Sequence, residues 1–134
     1  DWGTVREFRN FQRKYITLFC DFDGCLVFNG SKFGAKGFNT EGISENLQTI
    51  SKMLETGFVE LIITTSRPKV QKKNIINILK KFNIKTKYIL TGLFHAKRAL
   101  INDFSETNPF PSSIAVNIER DSKKLSSILN NLIK

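Results

Sequence analysis

The stretch ITLFCDFDGCLVFNG, residues 16–30, constrains this chain more than any other. Ile16, Leu18, Phe19 and Cys20 form an apolar run that reads as a β-strand over 16–22. A continuous apolar strand is expected in a sheet covered on both faces. Yet this strand runs into Asp21 and Asp23, one residue apart, with Gly24 directly behind. Burying unpartnered charge is expensive. The two acids must therefore stand where the strand leaves the core.

The remaining pattern alternates strands and helices. FVELIITT is a second buried strand ending at Thr65, and KYIL (87–90) is a short third. RALIND (98–103) is an apolar run that ends in Asp103, and SSIAVNI (112–118) reads as a further strand. Ile43, Leu47, Ile50 and Leu54 share a helix face, with Ser44 as the expected N-cap and Gly57 as the stop. A second amphipathic helix after Pro68 points Val70, Ile75, Leu79 and Phe82 inward and Lys72, Lys73, Lys80 and Lys81 to water. The last helix carries Leu125, Ile128, Leu129, Leu132 and Ile133 at helical spacing, capped by Asp121 or Ser122. Residues 28–42, with Gly30, Gly34, Gly37 and Gly42, read as a loop. Such alternation predicts an α/β domain with a parallel sheet. It spans residues 16–134, with 1–15 as an N-terminal arm or linker from a preceding domain.

A chain of 134 residues has room for one ordinary domain. No apolar stretch approaches the ~20 residues of a membrane span, and DWGTVREFRNFQRKY lacks a signal-peptide core. A cytoplasmic protein is the expectation. The net charge is +9, and ten Lys or Arg residues lie between Arg67 and Arg98 without one acid. That segment suits nucleic acid, a phosphorylated small molecule, or simply a solvated helix face. It has no aromatic interleaving and no nucleic-acid motif, so nucleic acid is the least supported partner. Cys20 and Cys25 flank the acidic pair and read as small packing residues, since a disulfide is disfavoured in a reducing compartment. Oligomerisation is left open.

In parallel α/β sheets the chemistry sits at the carboxyl ends of the strands. Asp21, Thr65 and Asp103 each end a different predicted strand. Close carboxylates repel unless a cation joins them, and magnesium takes oxygen ligands of this kind. Asp21, Asp103 and the backbone carbonyl of Asp23 are the expected ligands, with Gly24 permitting the turn. Asp21 can then attack phosphorus as a nucleophile, and Asp23 can act as general acid and base. The Thr65 hydroxyl and a nearby cation can hold the phosphoryl oxygens.

These residues resemble a known family. DFDGCL is similar to the DxDGxL nucleophile motif of the haloacid dehalogenase (HAD) superfamily phosphatases. LIITTSRP resembles its second motif and selects Thr65; LINDF resembles its acidic fourth motif and selects Asp103. The resemblance implies a three-layer Rossmann-like core with a parallel sheet, Mg2+, and phosphate-monoester hydrolysis through an aspartyl-phosphate. The catalytic set is then Asp21, Asp23, Thr65 and Lys97. Gly24, Ser66, Arg67 and Arg98 bind substrate, and Asp21, Asp23 and Asp103 take the metal. The family's third-motif cation is the weakest match: Lys97 is the first choice, with Arg98, Arg67 and Lys69 as alternatives. The spacings leave no room for a cap domain, so the site should be open. TSRP together with GLFHAKRALINDFSETNPFPSSIAVNIERD resembles the small HAD proteins of bacterial capsule and surface-polysaccharide biosynthesis. That implies a sugar or polyol phosphate as substrate, and DWGT resembles the end of a nucleotidyltransferase domain that often precedes such modules.

His95 reads as a surface or substrate-contacting residue, Asp121 as a helix cap, and Trp2, Phe8 and Phe11 as packing residues. Asn108, Pro109 and Pro111 read as a rigid turn. Two other functions compete with the hydrolase. One is a receiver-like switch that is phosphorylated but turns over slowly; the other is an idle binding module of a larger protein. Asp23 and the intact acidic set favour the enzyme.

Overall fold

The computed structural model describes residues 15–30, 37–106 and 112–132. Its described elements are β1 (Ile16–Asp21), α1 (Ser44–Glu55), β2 (Val59–Thr64), a 3-10 turn (Lys69–Gln71), α2 (Lys72–Lys80), β3 (Tyr88–Leu90) and α3 (Leu125–Leu132). All but the last residue of the expected arm over 1–15, the packing of Trp2, Phe8 and Phe11, and the turn at 108–111 lie outside the described residues.

The three strands form one parallel sheet in the order β1-β2-β3. The register sets Cys20 beside Ile63 and Ile63 beside Ile89; one residue on, Asp21 pairs with Thr64 and Thr64 with Leu90. The chain is thus a mixed α/β domain, as the alternation of patterns implies.

One face of this sheet carries the core. Cys20, Leu61, Ile63 and Ile89 pack with Leu47 and Ile50 of α1, Ile75, Ile78 and Leu79 of α2, and Leu125 and Leu129 of α3. The helix faces form for the reason the sequence gives: apolar side chains at helical spacing leave water together. The other face is different. Phe19 is 49%, Tyr88 58% and Leu90 42% exposed. The continuous apolar run of β1 therefore alternates in burial, and among the described residues helices cover one face only. Polar pairing decorates the open face: Thr17 donates to Glu60 Oε2 at 2.5 Å, and Lys87 Nζ pairs with Glu60 Oε1 at 3.0 Å.

Several expectations are corrected. Residues 98–103 and 112–118 are not strands: Leu100 is 54% and Ile101 92% exposed, while Val116 and Ile118 lean on the core without joining the sheet. A short apolar run becomes a strand only through cross-strand partners, and among the described residues neither run has any. Val70, expected inward, is 78% exposed because the 3-10 turn rotates it off the α2 stripe. Ser44 is the first helical residue rather than the cap; Ile43 holds the cap position with extended backbone and no side-chain bond. Gly57 does follow α1 with φ +79°.

Candidate active site

β1 ends at Asp21, and the chain then turns sharply. Phe22 O accepts bonds from the N–H groups of Cys25, Leu26 and Val27, and Gly24 N donates to Val27 O at 2.8 Å. Gly24 has φ +83° and only Arg120 close to where a Cβ would sit, so its backbone suits glycine. The role expected of it as a turn former fits; its carbonyl is taken by Asp121 N at 2.8 Å. Beyond the turn, Phe28 N bonds Glu41 O and Ile43 N bonds Leu26 O, which ties residues 26–28 to the segment that leads into α1.

The turn delivers the two acids to different environments. Asp23 is gripped by Arg67: Nε bonds Oδ2 at 2.9 Å and Nη2 bonds Oδ1 at 2.7 Å. Arg67 is fully buried, and its Nη2 also donates to Asn39 O at 2.8 Å. Its guanidinium carbon lies 4.9 Å from the Phe22 ring centre and 4.8 Å from that of Phe38. The two ring faces supply favourable electrostatics to Nη1, which is buried without a hydrogen-bond partner. Arg67, expected to bind substrate, is thus turned inward and committed to Asp23.

Asp21 reaches solvent and, among the described residues, has no such partner. Partial burial pushes its carboxyl above the ordinary aspartate value. The Phe22 backbone bond opposes this, repulsion from Asp23 adds to it, and Arg98 and His95 draw it down. The charges acting on Asp21 are thus Asp23, Arg98 and His95. Arg98, an alternative to Lys97 in the sequence, is the basic residue in that field; Lys97 lies exposed on the same loop. Lys69 is exposed on the 3-10 turn.

Thr65, one residue beyond β2, is buried, and its Oγ1 accepts from Arg67 N at 3.0 Å. Its N–H bonds Leu90 O and its carbonyl accepts from Leu93 N, so β3 and the following loop fix it on both sides. Gly92 N to Arg67 O at 2.7 Å completes that seam. Ser66 stands between them with Oγ 3.5 Å from His95 Nδ1.

The structure therefore gathers Asp21, Asp23, Gly24, Thr65, Ser66, Arg67 and Arg98 about the carboxyl ends of β1 and β2. Asp103 is exposed on the irregular 98–104 segment, where Ser112 Oγ donates to its carbonyl at 2.5 Å. It is not among the charges acting on Asp21. Among the described residues, no group of three or more His, Cys, Asp or Glu is placed to hold a metal.

One supporting residue went unread in the sequence, and another was read in a different role. Asn46 is fully buried on α1; its Nδ2 donates to Cys25 O at 2.8 Å and Ser122 O at 2.7 Å, and its Oδ1 accepts from Leu125 N at 3.3 Å. It accepts the first N–H of α3 from another helix, while Ser122, one of the expected caps, accepts Lys124 N at 3.2 Å just before the helix. Asp121 instead adopts φ 65° and accepts Asn29 N at 2.7 Å, tying down the turn after the acids. The signal for Asn46 was present: it lies three residues after Ile43 and four before Ile50, on the apolar stripe. The thiols behave as packing groups. Burial drives Cys20 far above the ordinary thiol value and Cys25 to about 11.

No protein-family model, curated protein or solved structure matches the chain. No described helix is long and apolar enough to cross a membrane.

Proposed function

We propose that this chain is a phosphate-monoester hydrolase of the HAD type, with Mg2+ as cofactor and an open site. The observation that carries the reading is the contrast at the end of β1: Asp23 is fixed by Arg67, and Asp21 is left free in the field of Arg98 and His95. A site with one anchored and one available carboxylate beside a buried threonine suits phosphoryl transfer. The three-layer core belongs to this same reading, whereas Asp103, exposed on the irregular 98–104 segment, stands outside the proposed metal set.

The chemistry assigns each residue one task. An Asp21 oxygen attacks phosphorus; its bond to phosphorus forms as the ester P–O bond breaks. The leaving alkoxide takes a proton from Asp23. Water then attacks the acyl phosphate while Asp23 takes its proton back, which releases inorganic phosphate and restores both carboxyls. Both Asp23 oxygens bond Arg67, and each keeps a lone pair for the proton in transit. Thr65 has its oxygen occupied by Arg67 N, which leaves its O–H to donate to a phosphoryl oxygen. Arg98 takes the part of the third-motif cation in preference to Lys97.

The donors suit a hard divalent ion: Asp21 and Asp23 repel one another, and oxygen ligands stand at the turn. Asp21 and the Asp23 carbonyl would hold Mg2+, which supplies neutralisation of charge between nucleophile and phosphate. The exposed Asp21, His95 and Arg98 suit a bulky substrate, a phosphorylated sugar or polyol of surface-polysaccharide synthesis, presented by a neighbouring nucleotidyltransferase domain or from solution.

The test is hydrolysis of p-nitrophenyl phosphate with magnesium, followed by a screen of sugar and polyol phosphates. Asp21→Asn should abolish turnover while the circular dichroism spectrum is unchanged. Wild-type turnover in that variant overturns the assignment of the nucleophile.

A further inference from the structure

The described helices leave one face of the sheet open, and that face is apolar over most of its area. Side chains alternate across a strand, so Thr17, Phe19 and Asp21 of β1 share this face with Glu60, Ile62 and Thr64 of β2 and with Tyr88 and Leu90 of β3. The register sets Phe19, Ile62 and Tyr88 in one row straight across the sheet. Nearer the amino ends of the strands, the Tyr15 ring meets Phe58 edge-on with 5.1 Å between centres. The apolar surface thus continues down to the point where the chain enters β1. Tyr15, Phe19, Tyr88 and Leu90 are all large and exposed. Gathered on one small face, they form a patch, which calls for an occupant as scattered single residues do not.

The chain that leads into this face is residues 1–14, outside the described residues. Trp2, Val5, Phe8 and Phe11 recur there at every third position. At ~100° per residue they fall on one half of a helix, with Arg6, Glu7 and Asn10 on the other. Residues 12–14 are enough for the turn between a helix and a strand. A helix over 1–11 would be about 16 Å long and about 10 Å wide. β1, with six residues, is about 20 Å long, and the outer two of three strands stand about 10 Å apart. The dimensions match in both directions. Doubling back from Tyr15 also fixes the pairing. Trp2 lies about 13 Å along such a helix from Phe11, and Phe19 lies about 13 Å along β1 from Tyr15. Phe11 then meets Tyr15 and Phe58, and Trp2 meets the row of Phe19, Ile62 and Tyr88. Glu60 and Asp21 on the same face disfavour a nucleic acid there, because their charge repels phosphates.

We propose that residues 1–14 dock back on the open sheet face as an amphipathic segment, with Trp2 seated over the Phe19–Ile62–Tyr88 row. The arm is then the second cover of the sheet. This docking is independent of the hydrolase chemistry.

Trp2 is the single tryptophan of the chain, so its fluorescence reports on the arm alone. In the full 134-residue chain its emission should lie to the blue of its position in urea, and acrylamide should quench it less. Tyr88→Ser, at an exposed position, and Phe8→Ser, within the arm, should each move the emission toward its urea position while the far-ultraviolet circular dichroism still reports a folded domain. Val70→Ser, on the 3-10 turn before α2, should leave the emission in place. Dilution should not change the spectrum. Equal emission in the native and urea-unfolded chains overturns the docking, as does a native spectrum that Tyr88→Ser leaves unmoved. A blue emission that is lost on dilution, with dimers in sedimentation, makes a second copy of the chain the occupant and overturns it as well.

Discussion

Arg67 holds Asp23 with two parallel hydrogen bonds, Nε to Oδ2 at 2.9 Å and Nη2 to Oδ1 at 2.7 Å. The fork is buried on the arginine side and partly open on the aspartate side, with side-chain exposures of 0% and 23%. A planar two-bond grip fixes direction as well as distance. It joins the turn after β1 to the turn after β2, so one interaction serves both the fold and the candidate chemistry.

Breaking that grip should cost stability and turnover together. Arg67→Ala leaves the Asp23 carboxylate without its partner and opens a void between Phe22 and Phe38. A loss of about 3 kcal/mol is expected, read by urea denaturation. Arg67→Lys keeps the charge but not the fork. It should unfold less readily than Arg67→Ala yet still lose most hydrolysis of p-nitrophenyl phosphate. Turnover in Arg67→Lys equal to wild type refutes the positioning role.

The pH dependence of stability follows from Asp21. Its carboxyl titrates above the ordinary value of 3.8 in the folded chain. The folded state therefore binds more protons than the unfolded state between those two values, and stability is lost as pH rises through that window. Asp21→Asn removes the cost of holding this charge partly buried and beside Asp23. Its melting temperature should exceed wild type at pH 7, and the difference should vanish below pH 3.5. The acid limb of the turnover profile should likewise sit above the ordinary aspartate range. Scanning calorimetry across pH 3–8 checks the first statement and initial rates check the second.

Asn46 should matter more than its place on a helix suggests. Asn46→Ala strands the carbonyls of Cys25 and Ser122 and the N–H of Leu125 away from their partner. A destabilisation of about 2–4 kcal/mol is expected. Asn46→Asp keeps the size and one acceptor but loses both donated bonds, and should be nearly as unstable. Denaturation midpoints decide; a change under half a kcal/mol refutes the bridging role.

The two thiols should be slow to react. With Cys25 near 11 and Cys20 higher still, the thiolate is scarce at pH 8. Iodoacetamide should label the native chain far more slowly than the urea-unfolded chain. Cys25, the less enclosed of the two, should react first, which peptide mass spectrometry resolves.

Much of the site was legible because it is local. Asp21, Asp23 and Gly24 are adjacent in the chain, and an apolar strand ending in acids announces itself by composition alone. Thr65 was legible for the same reason at the end of β2. The choice among Lys97, Arg98, Arg67 and Lys69 was not legible. All four are basic residues in one acid-free segment, and only packing separates them: Arg67 turns inward to Asp23, while Arg98 is tied by its own loop beside Asp21. The runs at 98–103 and 112–118 show the opposite failure, since their composition suits strands but no described strand pairs with them.

The sequence by itself determined the alternation of β1, α1, β2, α2 and β3 and the acids at the end of β1. Hydrophobic periodicity and turn residues act over a few neighbouring positions, so they can be read from neighbours. The tertiary structure alone decided which face of the sheet is covered, that Arg67 closes on Asp23, and that Asn46 of α1 accepts the first N–H of α3. Those outcomes depend on groups 44 and 79 positions apart in sequence meeting where water is excluded. A buried polar group must find a partner, but the chain order does not say which.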